Sequence, residues 1–191
     1  MRFDRRWGFV VFVSFVWLWI GFNIYKHTFT PRIKAIIIQS KNPIRTIDDP
    51  IVPIKKEILY FETIDFPKSK RLWNSIYGDL GYTHDFIINF FSKIYLAKDQ
   101  YVKFIVYSDD GFRLKIDGKD ILEFRKDRPF SKSETVVYLS KGAHRLKLKY
   151  FQGYGQLGLK VYYTTSDTPE GLSKHRNYLI GKSNGVMLFD R

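Results

Sequence analysis

Apolar and polar residues alternate along most of the chain from residue 54 to residue 165. In the central stretch, 101–123, Val102, Phe104 and Val106 fall on one side of a strand and the residues between them fall on the other. Similar short runs recur between turns that contain glycine or aspartate, and none of them repeats with a helical period of 3.6. The pattern predicts an all-β domain over 54–165, an antiparallel β-sandwich or small barrel.

Individual strands are predicted where these runs are bounded by turn residues. The predicted strands cover 57–66, 85–96, 101–108, 112–116, 119–123, 133–139, 144–151 and 156–164. Asp117-Gly118 is predicted to form a two-residue hairpin turn. The C-terminal extension, 166–191, has two further apolar runs, Asn177–Ile180 and Val186–Phe189, which are consistent with a final hairpin.

The first 25 residues have a different pattern. Residues 7–25 include no charged side chain over 19 positions, and as a helix they would cover roughly 28 Å, close to the hydrocarbon thickness of a bilayer. Tryptophan or tyrosine, which favour the membrane interface, occurs towards both ends. No small-residue cleavage motif follows, which favours an uncleaved anchor over a signal peptide. We predict a transmembrane helix over 7–25 after a cytoplasmic tail over 1–6.

The segment between this helix and the predicted β-domain, 26–53, contains four prolines. Proline at that density limits regular strand pairing, so the segment is interpreted as an extended stalk. A short run inside it, Lys34–Gln39, is compatible with an edge strand. The bulk of the chain is then expected on the far side of the membrane, in a periplasm or outside the cell.

Charge and composition exclude several classes of function. The chain has 32 Lys and Arg against 19 Asp and Glu, a formal charge of +13. Such a charge attracts anions, although lysines scattered over strand faces also keep strand edges soluble. The basic residues form no run of four or more, and an exported domain would not meet nucleic acid, so nucleic acid is not expected as a partner. The absence of cysteine excludes disulfides and thiolate metal sites.

Catalytic patterns are also missing from the sequence. The four histidines are isolated and lack metal-site spacing, and there is no G-x-S-x-G motif. Adjacent carboxylates on one turn point apart and cannot flank a glycosidic bond. We therefore predict that the chain is not an enzyme.

Five segments occur in a fixed order along the β-rich part of the chain. They are the apolar and aromatic run at 85–96, Ser-Asp-Asp-Gly at 108–111, Ile-Asp-Gly at 116–118, LSKGAHRLKLKY at 139–150 and GLKVYY at 158–163. In this combination they resemble the protective-antigen domain family, a lectin-like β-barrel module of bacterial toxins, glycosidases, adhesins and yeast flocculins. The resemblance covers roughly 58–163 and implies a carbohydrate-binding or adhesion module.

The resemblance also implies a ligand site. In lectin members of the family, two consecutive aspartates joined by a cis peptide bind calcium together with sugar hydroxyls, and Asp109 and Asp110 match that pair. A second loop there supplies an asparagine, where this chain has Gln152. Tyr154, between two glycines of the same loop, could stack on a sugar ring. Calcium takes six to eight oxygen ligands, so carboxylates at Asp109 and Asp110 suit it.

Each of these residues has a structural alternative. The Asp109-Asp110 segment could be only a tight turn, with Gly111 at positive φ and an aspartate capping backbone amides. The ring of Tyr154 could fold over the end of the barrel.

Arg125 and Arg128 belong to a charged loop and are interpreted as solvated charges rather than as ligands of an acidic group. The resulting hypothesis is a membrane-anchored, extracytoplasmic carbohydrate-binding or adhesion module in which Ca²⁺ is a candidate ligand. The alternative is a non-catalytic protein-interaction or scaffold subunit of an envelope complex.

Overall fold

The computed structural model of the chain describes residues 5–28 and 33–189. The chain divides into two compact units, the first ending at Thr30 and the second running from Pro31 to Asp190. Most of the predicted tail, residues 1–4, lies outside the described residues. The end of the predicted stalk before Ile33, 29–32, and the last two residues also lie outside them.

The first unit contains one helix, α1, at Arg5–Thr28. Its interior polar side chains bond to the preceding turn: Ser14 Oγ donates to the carbonyl of Val10 and Asn23 Nδ2 donates to the carbonyl of Trp19, both at 2.9 Å. Within residues 5–28 and 33–189, no helix combines the length and the apolar character needed to cross a membrane. The structure confirms a helix here and does not confirm the predicted crossing over 7–25.

The second unit is built from strands. Within residues 33–189 they are β1 Ile33–Ser40, β2 Pro53–Phe61, β3 Asp65–Ser69, β4 Trp73–Asn74, β5 Gly78–Asp79, β6 Phe86–Leu96, β7 Gln100–Asp109, β8 Phe112–Ile116, β9 Lys119–Phe124, β10 Ser131–Leu139, β11 Gly142–Gln152, β12 Leu157–Ser166, β13 Tyr178–Leu179 and β14 Met187–Phe189. A 3-10 turn occupies Glu170–Ser173. The predicted strands from 85 to 164 are found, with ends shifted by at most two residues.

The strands form two main antiparallel sheets. The larger has the order β2-β1-β6-β11-β8-β9, with β14 also paired to β6, and the smaller has the order β10-β7-β12-β13, with β3 also paired to β12. A separate small hairpin joins β4 and β5. The predicted all-β antiparallel sandwich is therefore confirmed.

The core lies between the two sheets. Val102, Phe104 and Val106 on β7 are fully buried, as the alternation predicts. Their counterparts on the larger sheet include Phe90, whose ring lies 5.8 Å from that of Phe66 on β3. Inward-facing side chains from both sheets thus remove a large apolar area from water, which is the main stabilising contribution.

The predicted stalk over 26–53 is wrong from residue 33 onward. Strand β1 pairs with β2 on one side and with β6 on the other, so it is an interior strand rather than an edge. Its inward side chains, Ile33, Ala35 and Ile37, are fully buried. The residues after it pack too, because Ile44 and Ile47 form a small second core with other apolar side chains, namely Ile87 and Phe151.

Two further predictions fail because neighbouring runs belong to different sheets. The predicted strand 57–66 is divided into β2, in the larger sheet, and β3, in the smaller one. The predicted final hairpin is not formed, since β13 pairs with β12 and β14 pairs with β6. The C-terminal extension instead adds one short strand to each sheet and buries Ile180 and Met187.

Candidate functional site

The two consecutive aspartates lie where the chain passes from one sheet to the other. Strand β7 of the smaller sheet ends at Asp109, and β8 of the larger sheet begins at Phe112. The peptide bond between Asp109 and Asp110 is cis, as the family resemblance implied. The two residues are only 7% and 4% exposed. Most of their surface is therefore removed from bulk water.

A pocket of about 350 Å³ lies against the two aspartates. Its walls come from four segments of the chain that meet at this end of the sandwich. The lining residues are Asp109 and Asp110, Asp127 to Pro129, Gly153 and Tyr154, with Ile44 and Arg45. The structure therefore brings three of the four predicted site residues to one cavity, and adds Asp127 and Arg128, which the sequence analysis did not select.

Hydrogen bonds of Asp110 join three of these segments. Its Oδ2 accepts a hydrogen bond from the backbone N–H of Gly153 at 2.8 Å, and its Oδ1 accepts one from the N–H of Arg128 at 3.3 Å. The Ser108 hydroxyl donates to the Asp110 carbonyl at 2.6 Å. Asp110 therefore does cap backbone amides, as the structural alternative expects, and the same bonds fix its carboxylate at the pocket wall.

Gly111 is required here by close packing and not by its backbone angle. The residues at positive φ do not include it, so the predicted left-handed turn is wrong. A Cβ at this position would lie 2.5 Å from the carbonyl oxygen of Phe124 and 2.8 Å from that of Lys126. Only glycine lets the β7–β8 connection approach the chain that follows β9 this closely.

Burial outweighs the donors and cations that compensate the charge of the two carboxylates. Burial raises the pKa of Asp110 to about 6, and the negative charges of Asp109 and Asp127 act in the same direction against the N–H groups that lower it. Burial likewise raises the pKa of Asp109, although the charges of Lys68 and Arg128 oppose this. A cation or a set of hydroxyl donors entering the pocket would stabilise the ionised pair.

Arg128 is a packed residue, so its interpretation as a solvated loop charge is wrong. Its guanidinium donates to the hydroxyls of Ser108 at 2.8 Å and Ser133 at 2.9 Å. The same group lies 4.4 Å from the ring centroid of Phe124. Burial lowers the pKa of Arg128, against the charge of Asp109. The aromatic residues at both ends of this charged loop were the available signal that part of it packs.

Arg125, by contrast, reaches outward and makes an ion pair with Asp48. Its side chain is 60% exposed. Of the two loop arginines, only Arg128 contributes to the pocket.

Gln152 organises the second loop from within. The residue is fully buried, its Oε1 accepts a hydrogen bond from the Tyr150 hydroxyl at 2.7 Å, and its Nε2 donates to the Gln156 carbonyl at 3.0 Å. The same Tyr150 hydroxyl also contacts the Asp109 carbonyl. Both ends of the Gln152 amide thus bond to the protein, and its side chain is not among those that line the pocket.

Tyr154 is the most exposed large side chain near the site, at 88%. Its ring lies 6.2 Å from that of His84, with an interplanar angle of 25°. The ring therefore does not fold into the end of the barrel, and it leaves an aromatic surface beside the two carboxylates.

The donor chemistry of the pocket is that of hard oxygen ligands. Asp109 and Asp110 could supply two of the six to eight oxygens that Ca²⁺ takes, and Asp127 lines the same pocket. Among the residues that the structure describes, no group of three or more His, Cys, Asp or Glu is arranged to hold a metal. A bound ion would therefore depend on backbone carbonyls, water or a ligand for its remaining oxygens.

Comparisons with known proteins identify the fold. No family model and no curated protein matches the sequence. The structure is similar to the PA14 domain of the antifreeze protein MpAFP, with a TM-score of 0.63 at 11% identity over 83% of this chain and 89% of that one. It is also similar to the PA14 sugar-binding domain of an RTX adhesin, with a TM-score of 0.60 at 12% identity over 79% and 95%.

A third similar structure is a subtype-switched Epithelial Adhesin 9 to 1 A domain from Candida glabrata, in complex with β-lactose. The TM-score is 0.55 at 11% identity, over 84% of this chain and 89% of that one. These likenesses confirm the predicted protective-antigen fold. At such low identity they show the fold alone.

Proposed function

We propose that this chain is a carbohydrate-binding or adhesion module whose ligand occupies the pocket at Asp109 and Asp110. The observation that carries the proposal is the placement of two buried carboxylates beside the exposed ring of Tyr154. Two of the similar structures support it, one described as a sugar-binding domain and one solved with β-lactose.

The pocket offers the two kinds of contact that sugars use. Carboxylate oxygens accept hydrogen bonds from sugar hydroxyls, and charge-assisted bonds of this kind are roughly twice as strong as neutral ones. An exposed aromatic ring provides a flat apolar surface for the C–H face of a pyranose. Asp110 is held in place by the N–H groups of Gly153 and Arg128, so it needs little reorganisation when a ligand binds.

Calcium is the finer part of the proposal. Asp109 and Asp110 are the residues that would hold the ion, which when bound would supply positive charge to which vicinal sugar hydroxyls can coordinate. Their raised pKa values support this role, since burial destabilises both ionised carboxylates and a bound cation would relieve that cost. Gln152 is not included as a ligand, because both ends of its amide bond to the protein.

The calcium part is tested by thermal unfolding with and without calcium at millimolar concentration. A calcium concentration about a hundredfold above Kd should stabilise the protein by about 2.7 kcal/mol, which corresponds to several degrees in Tm. Asp110→Asn should abolish this shift. Asp117→Asn is the matched control, because Asp117 belongs to the β8–β9 hairpin and is not among the residues that line the pocket. An equal calcium shift in wild type and Asp110→Asn would contradict the proposal.

Glycan binding is tested separately on a glycan array that includes galactosides, with calcium and with chelator. We expect binding by the wild type and its loss in Tyr154→Ala, whose calcium-dependent Tm shift should persist because the tyrosine is not a ligand of the ion. Binding of no glycan under either condition would contradict the carbohydrate proposal, whatever the calcium result.

The second candidate function is a non-catalytic protein-interaction or scaffold subunit. The inward position of Gln152 favours this function. Both ends of its amide bond to the protein, so the second loop offers fewer oxygen ligands to an ion than the family resemblance implies. No glycan binding, together with a reproducible partner recovered from detergent-solubilised membranes, would favour it.

Localisation is a separate part of the proposal. Helix α1 exposes large apolar side chains, including Phe15, Trp17 and Leu18 at 68%, 68% and 70%. Such side chains are stabilised by contact with lipid, so we propose that α1 attaches the chain to a bilayer and that the β-unit is extracytoplasmic. Recovery of the full chain in a carbonate-washed soluble fraction would contradict the attachment. Protection of the β-unit from protease added to spheroplasts, whose outer envelope has been opened, would contradict the orientation.

A further inference from the structure

The outer face of the larger sheet concentrates positive charge. In the β-ladder, Lys34 on β1 is opposite Phe91 on β6, Phe91 is opposite Lys147 on β11, and Lys147 is opposite Lys115 on β8. One row of the sheet thus presents three lysines across four strands. Arg145 lies two residues from Lys147 on β11, and so on the same face. We define Lys34, Lys115, Arg145 and Lys147, with Lys93 opposite Arg145, as the basic face.

Like charges are directly opposed within this face. Lys93 is in register with Arg145, and Lys115 is in register with Lys147. Directly opposite like charges destabilise a sheet unless other groups compensate them.

A neighbouring pair on the same sheet shows how such repulsion can be relieved within the protein. Lys149 is in register with Arg113, and Arg113 forms ion pairs with Asp48 and Glu123 at 2.9 and 2.8 Å. The ammonium of Lys149 donates to the carbonyl of Ile47 at 2.5 Å. This row is neutralised and covered by the segment that follows β1.

Three cations of the basic face, Lys34, Arg145 and Lys147, are compensated less than this row. Lys115 pairs with Asp120 at 3.0 Å, and the ammonium of Lys147 lies 5.4 Å from the centroid of the Phe91 ring. Within residues 5–28 and 33–189, none of Lys34, Arg145 and Lys147 takes part in an ion pair. Lys34, Arg145 and Lys147 are therefore the cations of this face that an external anionic partner could pair with.

Apolar side chains surround these cations on the same face. Tyr60, opposite Lys34, is 46% exposed, and Ile58, two residues away, is 50% exposed. Near the C-terminal end of β6, Tyr95 is 45% exposed, and Leu188, opposite it on β14, is 40% exposed. Lysine and arginine interleaved with tyrosine and aliphatic side chains are the composition of surfaces that contact the headgroup region of a membrane.

We propose that the basic face docks on an anionic lipid bilayer. The charges attract acidic headgroups, while the exposed tyrosines and aliphatic residues contact the interfacial region beneath them. An acidic polymer would be attracted by the same charges but would not need the exposed apolar side chains of β2, β6 and β14. The proposal concerns a surface remote in the ladder from Asp109 and Asp110, and it does not depend on glycan binding.

The test measures partition of the full chain onto vesicles of phosphatidylcholine alone and onto vesicles that also contain phosphatidylserine. The quantity of interest is the change in the ratio of the two partition coefficients between variants, because α1, which carries Arg5 and Arg6, contributes to the ratio equally in all of them. We expect a preference for anionic vesicles that weakens as salt is raised. Each basic residue at a membrane surface contributes about fivefold, so the variant Lys34→Gln, Arg145→Gln, Lys147→Gln should lower the ratio by at least about tenfold.

The matched control removes the same formal charge from the outer face of the other sheet. In Lys103→Gln, Lys132→Gln, Lys160→Gln the ratio should change less than about twofold, because these lysines lie on β7, β10 and β12. Thermal melts of both variants check folding, and the first should melt no lower than the wild type because it relieves repulsion. Equal losses in the two variants, or no preference for anionic vesicles in the wild type, would overturn the proposal. Binding to the sulfated polysaccharide heparin without any vesicle preference would assign the face to an acidic polymer instead.

Discussion

Two aspartate-glycine turns close successive strands of this protein, and they differ in almost every physical property. Asp110-Gly111 follows β7, and Asp117-Gly118 follows β8. Asp117 and Gly118 both have positive φ, 50° and 82°, as a two-residue hairpin turn requires. Asp110 lies instead at the crossing between the sheets, with only 4% of its surface exposed.

The pKa values of the two acids are shifted in opposite directions, although hydrogen bonds lower the pKa of both. Burial alone would raise the pKa of Asp117, but hydrogen bonds from the Arg145 N–H at 2.8 Å and from His144 Nδ1 at 2.6 Å lower it overall. For Asp110 burial prevails and raises the pKa to about 6. An aspartate before a glycine thus stabilises a turn when its carboxylate reaches hydrogen-bond donors near solvent. It becomes a candidate ligand when burial raises its pKa by more than its hydrogen-bond donors lower it.

The largest expected effect is the difference in stability lost when each of the two glycines is replaced by alanine. Gly111→Ala should destabilise the protein by about 3 kcal/mol, because its Cβ would overlap two backbone carbonyls that cannot move without distorting the sheet connection. Gly118→Ala has nothing within 4 Å of the new Cβ and is strained only by its φ of 82°, so it should cost about 1 kcal/mol. Urea unfolding of both variants measures the difference. Equal losses would mean that close packing is not what requires Gly111.

The pH dependence of stability should separate the two aspartates. An acid whose pKa is raised on folding lowers stability as pH rises from its unfolded pKa to its folded one, here from about 4 to about 6 for Asp110, by at most about 3 kcal/mol. Asp110→Asn should therefore remove this decline, so that wild type loses stability relative to the variant across that interval. Urea midpoints measured in calcium-free buffer from pH 4 to pH 7 test this. A parallel pH dependence in the two proteins would contradict the raised pKa.

Asp117→Asn should change the pH dependence of stability in the opposite direction. A lowered pKa means that ionised Asp117 stabilises the fold above its unfolded pKa, and that this contribution is lost as pH falls through the folded one. Burial opposes protonation of His144, but its bonds to Asp117 and to the Ser140 carbonyl raise its pKa overall, so its contribution is lost as pH rises through that higher value. The variant should lose about 1 kcal/mol near pH 6 and less at either extreme, measured by the same urea titration. A loss independent of pH would contradict this assignment.

Features of the fold that depend on neighbouring residues were predictable from the sequence, and features that depend on contacts distant in the sequence were not. The strands from β6 to β12 and the hairpin at Asp117-Gly118 follow from alternation and turn chemistry, which act over a few residues. The role of β1 did not, because its partners β2 and β6 begin 13 and 46 residues after its last residue, Ser40, and four prolines suggested a stalk. Prolines at the ends of a buried segment do not prevent the apolar residues between them from packing.

The pocket was predictable only in part for the same reason. Asp109, Asp110 and Tyr154 carry a local motif and were selected. Arg128 and the N–H of Gly153 contribute through contacts across loops that no local pattern encodes. Gln152 has the residue type of a ligand, but its direction depends on Tyr150 and Gln156, which bond to its amide.

The smallest expected effect comes from replacing one exposed acid near each turn, Asp127 near Asp110 and Asp120 near Asp117. Asp127 lines the pocket, and its charge is one cause of the raised pKa of Asp110, so Asp127→Asn should lower that pKa. Asp127 is exposed, so the variant should change stability by less than about 0.5 kcal/mol.

Asp120→Asn is the matched control, since Asp120 is an exposed acid of the β8–β9 hairpin, paired with Lys115 at 3.0 Å. Titration of the side-chain carboxyl carbon of Asp110 by NMR in calcium-free buffer should show a lower midpoint in Asp127→Asn and an unchanged one in Asp120→Asn. If both variants moved the midpoint equally, the net charge of the protein rather than the local pocket would set the proton affinity of Asp110. Its raised pKa would then no longer distinguish the buried turn from the exposed one.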